Sequence, residues 1–347
     1  MTNRVNTDIQ RRTLLKGMGV AAGAAFTGTM ISIDKAAAAD EFKVTMQLGW
    51  LASNGILGEV AADKLGYYKE EGLSLEIVPG GPNIDGVASV ASGRANLGSI
   101  SSSPSLMLAR AAGIPIKCIA AGYQQHPFTY FSLTENPVKT PQDLVGKKVA
   151  TQGTARILLR ALLAKNNISE DDVEVIVSGS DMAVLMTGQA DVVTGWTTNV
   201  NALSVLGDRR VDLSLWDAGI QLYANPYYVT DETLAEHKDK VEAMIRISAK
   251  GWGWVHENQE QACEFLVERY PNMDLESELK AVPLVDGYSF NAVTATGGWG
   301  TMNRENWQAQ IDAYAALGQF DGDPPKVDDM MTLSILEATA ADRPKYG

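Results

Sequence analysis

The chain is poor in the side chains on which most metal and redox chemistry depends: among 347 residues there are 2 cysteines and 3 histidines. Cys118 falls in a predicted strand and Cys263 in a predicted helix, so one disulfide in an oxidising compartment and two buried thiols are both open. His126, His237 and His256 are scattered, and no H-x-x-H or C-x-x-C spacing occurs, which argues against a structural metal site and implies no cofactor of that kind. No Ser, His and Asp stand in the elbow or triad spacing of a nucleophilic enzyme. Basic residues are also outnumbered, 29 Lys and Arg against 42 Asp and Glu, for a net charge of −13. An acidic surface argues against nucleic acid and anionic membranes as partners, because both require basic patches. The charge of a small ligand stays open, since the field inside a cleft can oppose the global one. Beyond about Ile33 no stretch approaches the roughly 20 apolar residues of a bilayer span.

What is present begins with a leader. Arg11-Arg12-Thr13-Leu14-Leu15-Lys16 is a twin-arginine pattern, a Gly/Ala-rich apolar run follows, and Ala37-Ala38-Ala39 offers an A-x-A cleavage site. A signal peptide over residues 1–39 is therefore expected, removed near Ala39 after export to the periplasm; a membrane anchor is the alternative, but Gly and Thr break the run short of a full span of roughly 20 apolar residues. It carries five basic and two acidic side chains, so the remaining chain has a net charge of −16. About 308 residues are left, enough for two lobes of ordinary size.

Those residues contain one unit twice. The segment from Val44 runs strand, polar loop, helix, strand, loop and short helix to Ser92-Gly93-Arg94-Ala95-Asn96 and a further strand. The segment from Lys147 repeats that order to Thr187-Gly188-Gln189-Ala190-Asp191 and a strand. Two such units predict two α/β lobes with mostly parallel sheets, lobe one over 40–130, lobe two over 131–226, and a return over 227–347. Ligands on such sheets sit beyond the carboxyl ends of the strands, which between two lobes means a shared cleft.

The loops at those strand ends are the candidate site. Trp50 follows the strand Val44–Leu48 and opens a loop ending in Asn54; it is either an aromatic wall with an adaptable amide nearby or a cap on the core under the first helix. Ser101, Ser102 and Ser103 precede Pro104, with Ser103 expected at the N-cap; they form either a polar pocket or an ordinary capped loop. In the second unit Gln152, Gly153 and Thr154 join strand to helix, with Thr154 expected at the N-cap. Free backbone N–H groups there suit an anion or polar ligand edge, and Arg156 would add a charged donor; a plain turn with a surface arginine fits equally. Trp196, Thr198 and Asn199 end the strand Val192–Trp196. The crossings between lobes are expected after Ile116–Ala120 and at Asn225-Pro226-Tyr227-Tyr228. Residues 231–347 are helical in pattern, with amphipathic runs at 233–258, 259–270 and 304–317, and Ala292 to Gly300 reads as a loop.

The twin-arginine leader, G-Y-Y-K-E-E-G-L from Gly66, S-G-R-A-N-L-G from Ser92, D-L-V-G-K-K-V-A from Asp143 and G-Q-A-D-V-V-T-G-W-T-T-N from Gly188 together resemble the solute-binding proteins of one group of ABC importers, over roughly 42–260. That group handles nitrate, alkanesulfonates, taurine and thiamine-pyrimidine precursors. The resemblance implies a two-lobed α/β periplasmic binding protein fold, type II-like, with two strand hinges and a ligand cleft that closes before docking on a permease. It implies a monomer and ligand contacts from the loops containing Trp50, Asn54, Ser101 to Ser103, Gln152 to Arg156, and Trp196 to Asn199. The chain has Ser-Ile-Ser-Ser-Ser where sulfonate members carry an Asp and a Pro-rich loop. The element G-W-T-T-N is similar to that of the pyrimidine-precursor binders, which favours a heteroaromatic ligand over a simple anion. Trp50, Trp196 and Tyr227 are then the stacking candidates. A sulfonate, taurine or nitrate binder is the alternative in the same fold. A pyrimidine-precursor synthase would need a Cys-rich iron motif, which two isolated cysteines do not supply, and a receptor feeding a signalling partner would share the same cleft.

Overall fold

The computed structural model describes residues 41–81, 84–179 and 181–347, so the expected signal peptide lies outside the described residues. In the first lobe, β1 (Phe42–Leu48) is followed by α1 (Leu57–Lys64), β2 (Leu73–Val78), α2 (Gly86–Ala91) and β3 (Leu97–Ser99). Then come α3 (Ser103–Ala111) and β4 (Ile116–Tyr123). The second lobe holds β5 (Phe128–Leu133), β6 (Lys148–Thr151), α4 (Arg156–Lys165), β7 (Glu174–Val177), α5 (Ala183–Met186), β8 (Val192–Trp196), α6 (Val200–Leu203) and β9 (Arg210–Ser214). The return strand is β10 (Ala224–Thr230).

Each lobe is built on a five-stranded sheet, ordered β2-β1-β3-β10-β4 in one and β7-β6-β8-β5-β9 in the other. The orders match position for position, which is the repeat seen in the sequence. β1 pairs parallel with β2 and β3, and β6 with β7 and β8. Both sheets are nevertheless mixed, because β10 and β5 run antiparallel to their neighbours. The cause is the crossing itself: a strand arriving from the other lobe enters at the cleft end and runs away from it. β5 lies wholly in the second sheet and β10 wholly in the first, so the chain crosses before Phe128 and returns by Ala224. The boundaries expected at 130/131 and 226/227 fall inside these strands.

The sharpest element of the sequence repeat has a structural use. Asn96 accepts from Thr45 N through Oδ1 at 2.9 Å and donates from Nδ2 to Lys43 O at 2.9 Å. Its counterpart Asp191 accepts from Lys148 N at 2.8 Å and from Asn136 Nδ2 at 2.9 Å. In each lobe a polar side chain just before the third strand ties that strand to the first.

Beyond β10 lie α7 (Lys238–Glu257), α8 (Gln259–Arg269), α9 (Leu275–Ser289) and α10 (Arg304–Ala316). α7 packs closely on α1: a Cβ on Gly251 would lie 2.1 Å from Gly58 O, and one on Gly58 2.3 Å from Trp252 Cδ1. α9 lies in the stretch read as helical beyond residue 231 but in none of the amphipathic runs singled out there. Asp274 caps it, accepting from Ser277 N at 2.9 Å and from Ser277 Oγ at 2.7 Å. Pro283 removes the donor for the carbonyl of Leu279, a residue 36% exposed, so the helix tolerates the proline where water reaches it. A short helix, Thr294–Gly297, also occupies part of the expected loop. Cys118 and Cys263 are both buried and free, and burial pushes the Cys263 thiol up to about 12. Among the described residues no helix is long and apolar enough to cross a membrane, and no group of three or more His, Cys, Asp or Glu could hold a metal.

Candidate functional site between the lobes

In lobe one the loop after β1 is held down from two sides. Gly49 N donates to Ser99 O at 2.7 Å and Gly80 N to Trp50 O at 2.8 Å. A Cβ on Gly80 would stand 2.4 Å from Leu48 O, so only glycine lets the turn after β2 pass this close. Trp50 is half-buried. Asn54 is buried in a single 3-10 turn, Asn54–Ile56, capped by Ser53. The loop after β3 is joined to this turn by Asn225, which has φ +47°. Its backbone N donates to Ser101 O and its Nδ2 to Gly55 O, both at 3.4 Å. Ser102, rather than Ser103, occupies the N-cap of α3; its hydroxyl makes no cap bond and is buried without a partner. Ser103 lies inside the helix, fully buried, and donates to Gln310 Oε1 at 2.5 Å. It joins α3 to α10 and is not a cleft residue.

In lobe two, Gln152 is half-buried and Gly153 and Thr154 are exposed. Thr154 is not an N-cap: it sits inside a 3-10 turn, Gly153–Ala155, that runs directly into α4. Arg156 is 45% exposed and pairs with Glu170, Nη2 to Oε2 at 3.7 Å. Both side chains are about half exposed and both belong to lobe two. After β8, Trp196 and Asn199 are half-buried and Thr198 is buried.

The lobes meet at Asn54. Its Nδ2 donates to Thr198 O at 3.1 Å and to Glu278 Oε2 of α9 at 2.9 Å. Beside it the hydroxyls of Thr197 and Tyr288 are 2.8 Å apart. Tyr123, at the end of β4, forms the aromatic centre of the junction. Its ring stacks on Tyr288 at 5.8 Å and 28° and meets Trp196 of the other lobe at 5.9 Å. His126 closes the far side of Trp196 at 5.5 Å. Burial holds its imidazole neutral, with a pKa pushed down to about 3. Glu278 is half-buried, and desolvation raises its carboxyl against the hydrogen bond from Asn54.

Tyr227, expected to stack on ligand, is 1% exposed and faces the core of lobe one. Its hydroxyl donates to Glu59 Oε1 at 2.6 Å, and its ring stands edge-on to Trp299. Sequence reading missed Tyr123, Glu278 and Tyr288 as site groups; Thr197 lies in the loop Trp196 to Asn199 that it singled out. For Tyr123 the signal was its place at a strand end; for the two α9 residues there was none. A separate cavity of about 360 Å³ lies beside the second crossing, walled by Lys165, Trp216, Tyr223, Gln310 and Tyr314, and none of the four strand-end loops lines it.

Two matched sheets, two crossings and a junction at the carboxyl ends of the central strands make this a two-lobed periplasmic binding protein fold. The alkanesulfonate-binding protein SsuA from Xanthomonas axonopodis pv. citri, solved with MOPS, superposes with a TM-score of 0.64 at 16% identity, over 85% of this chain and 100% of its own. At the level of sequence the chain belongs to the NMT1/THI5-like family, whose model matches residues 53–262. It is 27% identical to the formylaminopyrimidine-binding protein of Halalkalibacterium halodurans over 73% of this chain and 80% of that one. It is 26% identical to riboflavin-binding protein RibY of Chloroflexus aurantiacus over 62% of this chain and 64% of that one. The 4-amino-5-hydroxymethyl-2-methylpyrimidine phosphate synthase of Schizosaccharomyces pombe is 27% identical over 59% of this chain and 63% of its own.

Proposed function

We propose that the protein is a solute-binding component of an ABC importer, exported by its twin-arginine leader to the periplasm, that captures a small heteroaromatic molecule between its lobes and passes it to a permease. The observation that carries this reading is the junction itself. One neutral amide, Asn54, is shared across the lobes, and the half-buried rings of Trp196 and Tyr288 stand at the same junction, both packed on the fully buried Tyr123. Flat rings bury apolar ligand area at roughly 25 cal/mol per Å². Neutral side chains at Trp50, Ser101, Ser102, Gln152, Thr154, Thr198 and Asn199, with the backbone of Gly153, would orient the ligand's polar edge. Contacts from both halves favour the closed form by their differential affinity for it.

Two relatives named as binders of formylaminopyrimidine and riboflavin support a ring-shaped ligand. Among the four strand-end loops only Arg156 is cationic, and it pairs with Glu170 at 3.7 Å, which favours a neutral ligand over a sulfonate or nitrate. The synthase reading needs a Cys-rich iron motif, whereas the chain has two isolated cysteines, Cys118 and Cys263, both buried. The test is a thermal-shift screen of residues 40–347 against pyrimidines, flavins, sulfonates, taurine, nitrate and aromatic carboxylates. A true ligand at about 100 times its Kd adds roughly 2.7 kcal/mol of stability. Stabilisation by pyrimidines or flavins is the expected result. A response to simple anions alone would replace the heteroaromatic reading, and turnover of any compound would replace the binding one.

A further inference from the structure

We propose that α9 supplies the charge of this site: Glu278 selects a ligand edge made of N–H donors, that of an amino-substituted nitrogen heterocycle, and turns away sulfonates, carboxylates and nitrate. The inference rests on the binding reading above and narrows it to one residue. Three observations lead to it.

First, α9 stands at the junction. It packs on the turn Asn54–Ile56 of lobe one and on α6 of lobe two. Glu278 Oε2 takes the same Asn54 amide that donates to Thr198 O across the lobes. Second, the carboxylate has spare capacity. A carboxylate offers about four lone-pair positions, and Asn54 occupies one. Among the described residues Oε1 receives no hydrogen bond, and it is not sealed from solvent. Third, no counter-ion stands against it. No Lys, Arg or His of the described residues lies within 4.0 Å of Glu278; Lys280 on the same helix pairs with Glu276, and the N-cap Asp274 is another acid. Its partner Asn54 is neutral, as are Thr197, Thr198 and Tyr288 elsewhere in the junction, and His126 is held neutral by burial.

A half-buried carboxylate with open acceptor positions, beside stacked rings and without a cation, is completed by a flat molecule that brings the donors. An exocyclic amino group next to a protonatable ring nitrogen presents two parallel N–H groups, the arrangement that a carboxylate binds in bidentate fashion and most strongly when charge assists. An anion in the same place meets like charge in a poorly solvated setting. Glu278 lies outside residues 53–262, the part matched by the family model. The selectivity is thus assigned to a segment that the family match does not cover.

The test compares three probes by calorimetry on the chain without its leader: 4-amino-5-hydroxymethyl-2-methylpyrimidine, its analogue with methyl in place of the amino group, and ethanesulfonate. The wild type is expected to prefer the amino compound over the methyl analogue by about tenfold or more, the loss typical of leaving a charged acceptor unmatched. Glu278→Gln keeps an acceptor for Asn54 and removes the charge. It should bring that preference below about threefold with an unchanged melting temperature, since a half-buried Glu→Gln exchange conserves volume. A wild-type preference that Glu278→Gln leaves intact overturns the role of Glu278 and spares the heteroaromatic reading. Tighter binding of ethanesulfonate than of either pyrimidine overturns both. Equal binding of the two pyrimidines by the wild type, or no binding of any probe, overturns the selectivity assigned to Glu278.

Discussion

Asn54 of lobe one and Thr198 of lobe two are joined by a 3.1 Å hydrogen bond from a side-chain amide to a backbone oxygen, 144 residues apart in the chain. The same amide also reaches Glu278, so a single side chain links both lobes and the C-terminal helices. Asn54→Ala strips the partner from two acceptors at once. The expected loss is about 1–3 kcal/mol, read as a lower urea midpoint, together with weaker ligand binding. An unchanged midpoint and Kd would show that the contact is energetically idle.

The aromatic junction and the surface arginine make opposite predictions. Trp196→Ala removes a ring that meets both Tyr123 and His126, and ligand affinity should fall by about tenfold or more, as expected for about 1.4 kcal/mol of lost contact. Arg156→Ala breaks a pair that is 45% and 44% exposed on its two sides. Such pairs contribute little, so stability and Kd should both stay within about threefold of wild type. Calorimetric titration of the two variants with the same ligand decides it.

Glu59 is fully buried against Tyr227, and desolvation raises its carboxyl above the ordinary 4.5. The folded state therefore holds this proton after the unfolded chain has released it. Stability falls as pH climbs from about 4.5 through the raised folded value. Glu59→Gln should remove that decline and melt higher than wild type near pH 8. Tyr227→Phe removes the 2.6 Å donor and should cost about 1–3 kcal/mol. Thermal melts across pH for the three chains test the sign. A wild type that gains stability relative to Glu59→Gln as pH rises would contradict it.

Gly251→Ala probes the contact of α1 with α7. In an open helix the change is worth up to about 1 kcal/mol of added stability, because glycine is the poorer helix former. Here the new Cβ would stand 2.1 Å from Gly58 O and 2.9 Å from Ala62 Cβ. Forced separation of the helices should instead cost about 1–3 kcal/mol, visible as a drop in melting temperature.

The repeat predicts matched damage in the two lobes. Asn96→Ala and Asp191→Ala each remove the side chain that ties the third strand to the first. Each should cost about 1–2 kcal/mol. Hydrogen exchange should place the first loss in β1 and β3 and the second in β6 and β8. Protection lost equally in both lobes would mean that the lobes do not respond separately.

The lobes, the doubled strand order and most element boundaries were legible in the residues because they rest on local signals. Alternating apolar positions mark β1 and β2, and Gly72, with φ +68°, stands at the turn into β2. The periodic signal failed where one residue contradicts a long-range arrangement. α9 carries Pro283 in its interior and shows no singled-out amphipathic run, yet it continues because its affected turn faces water and its other face is held by packing on both lobes. That one helix brings Glu278 and Tyr288 to the junction, so half of the site's chemistry was out of reach of pattern reading.

Side-chain direction was the other thing the linear order left open. Ser103 at a helix start and Tyr227 in mid-strand were both candidates for the site, yet each turns elsewhere, to Gln310 and Glu59. A strand residue has two faces to choose between, and a first-turn residue can face the cleft or the outside. Sequence spacing fixes the alternation but not its phase against a cleft whose second wall is more than 100 residues away. Residue types and their periodicity therefore determined that there are two like lobes with polar loops at their strand ends. Only the packing of distant segments decided which of those loops meet, and that a helix from the far end of the chain meets them too.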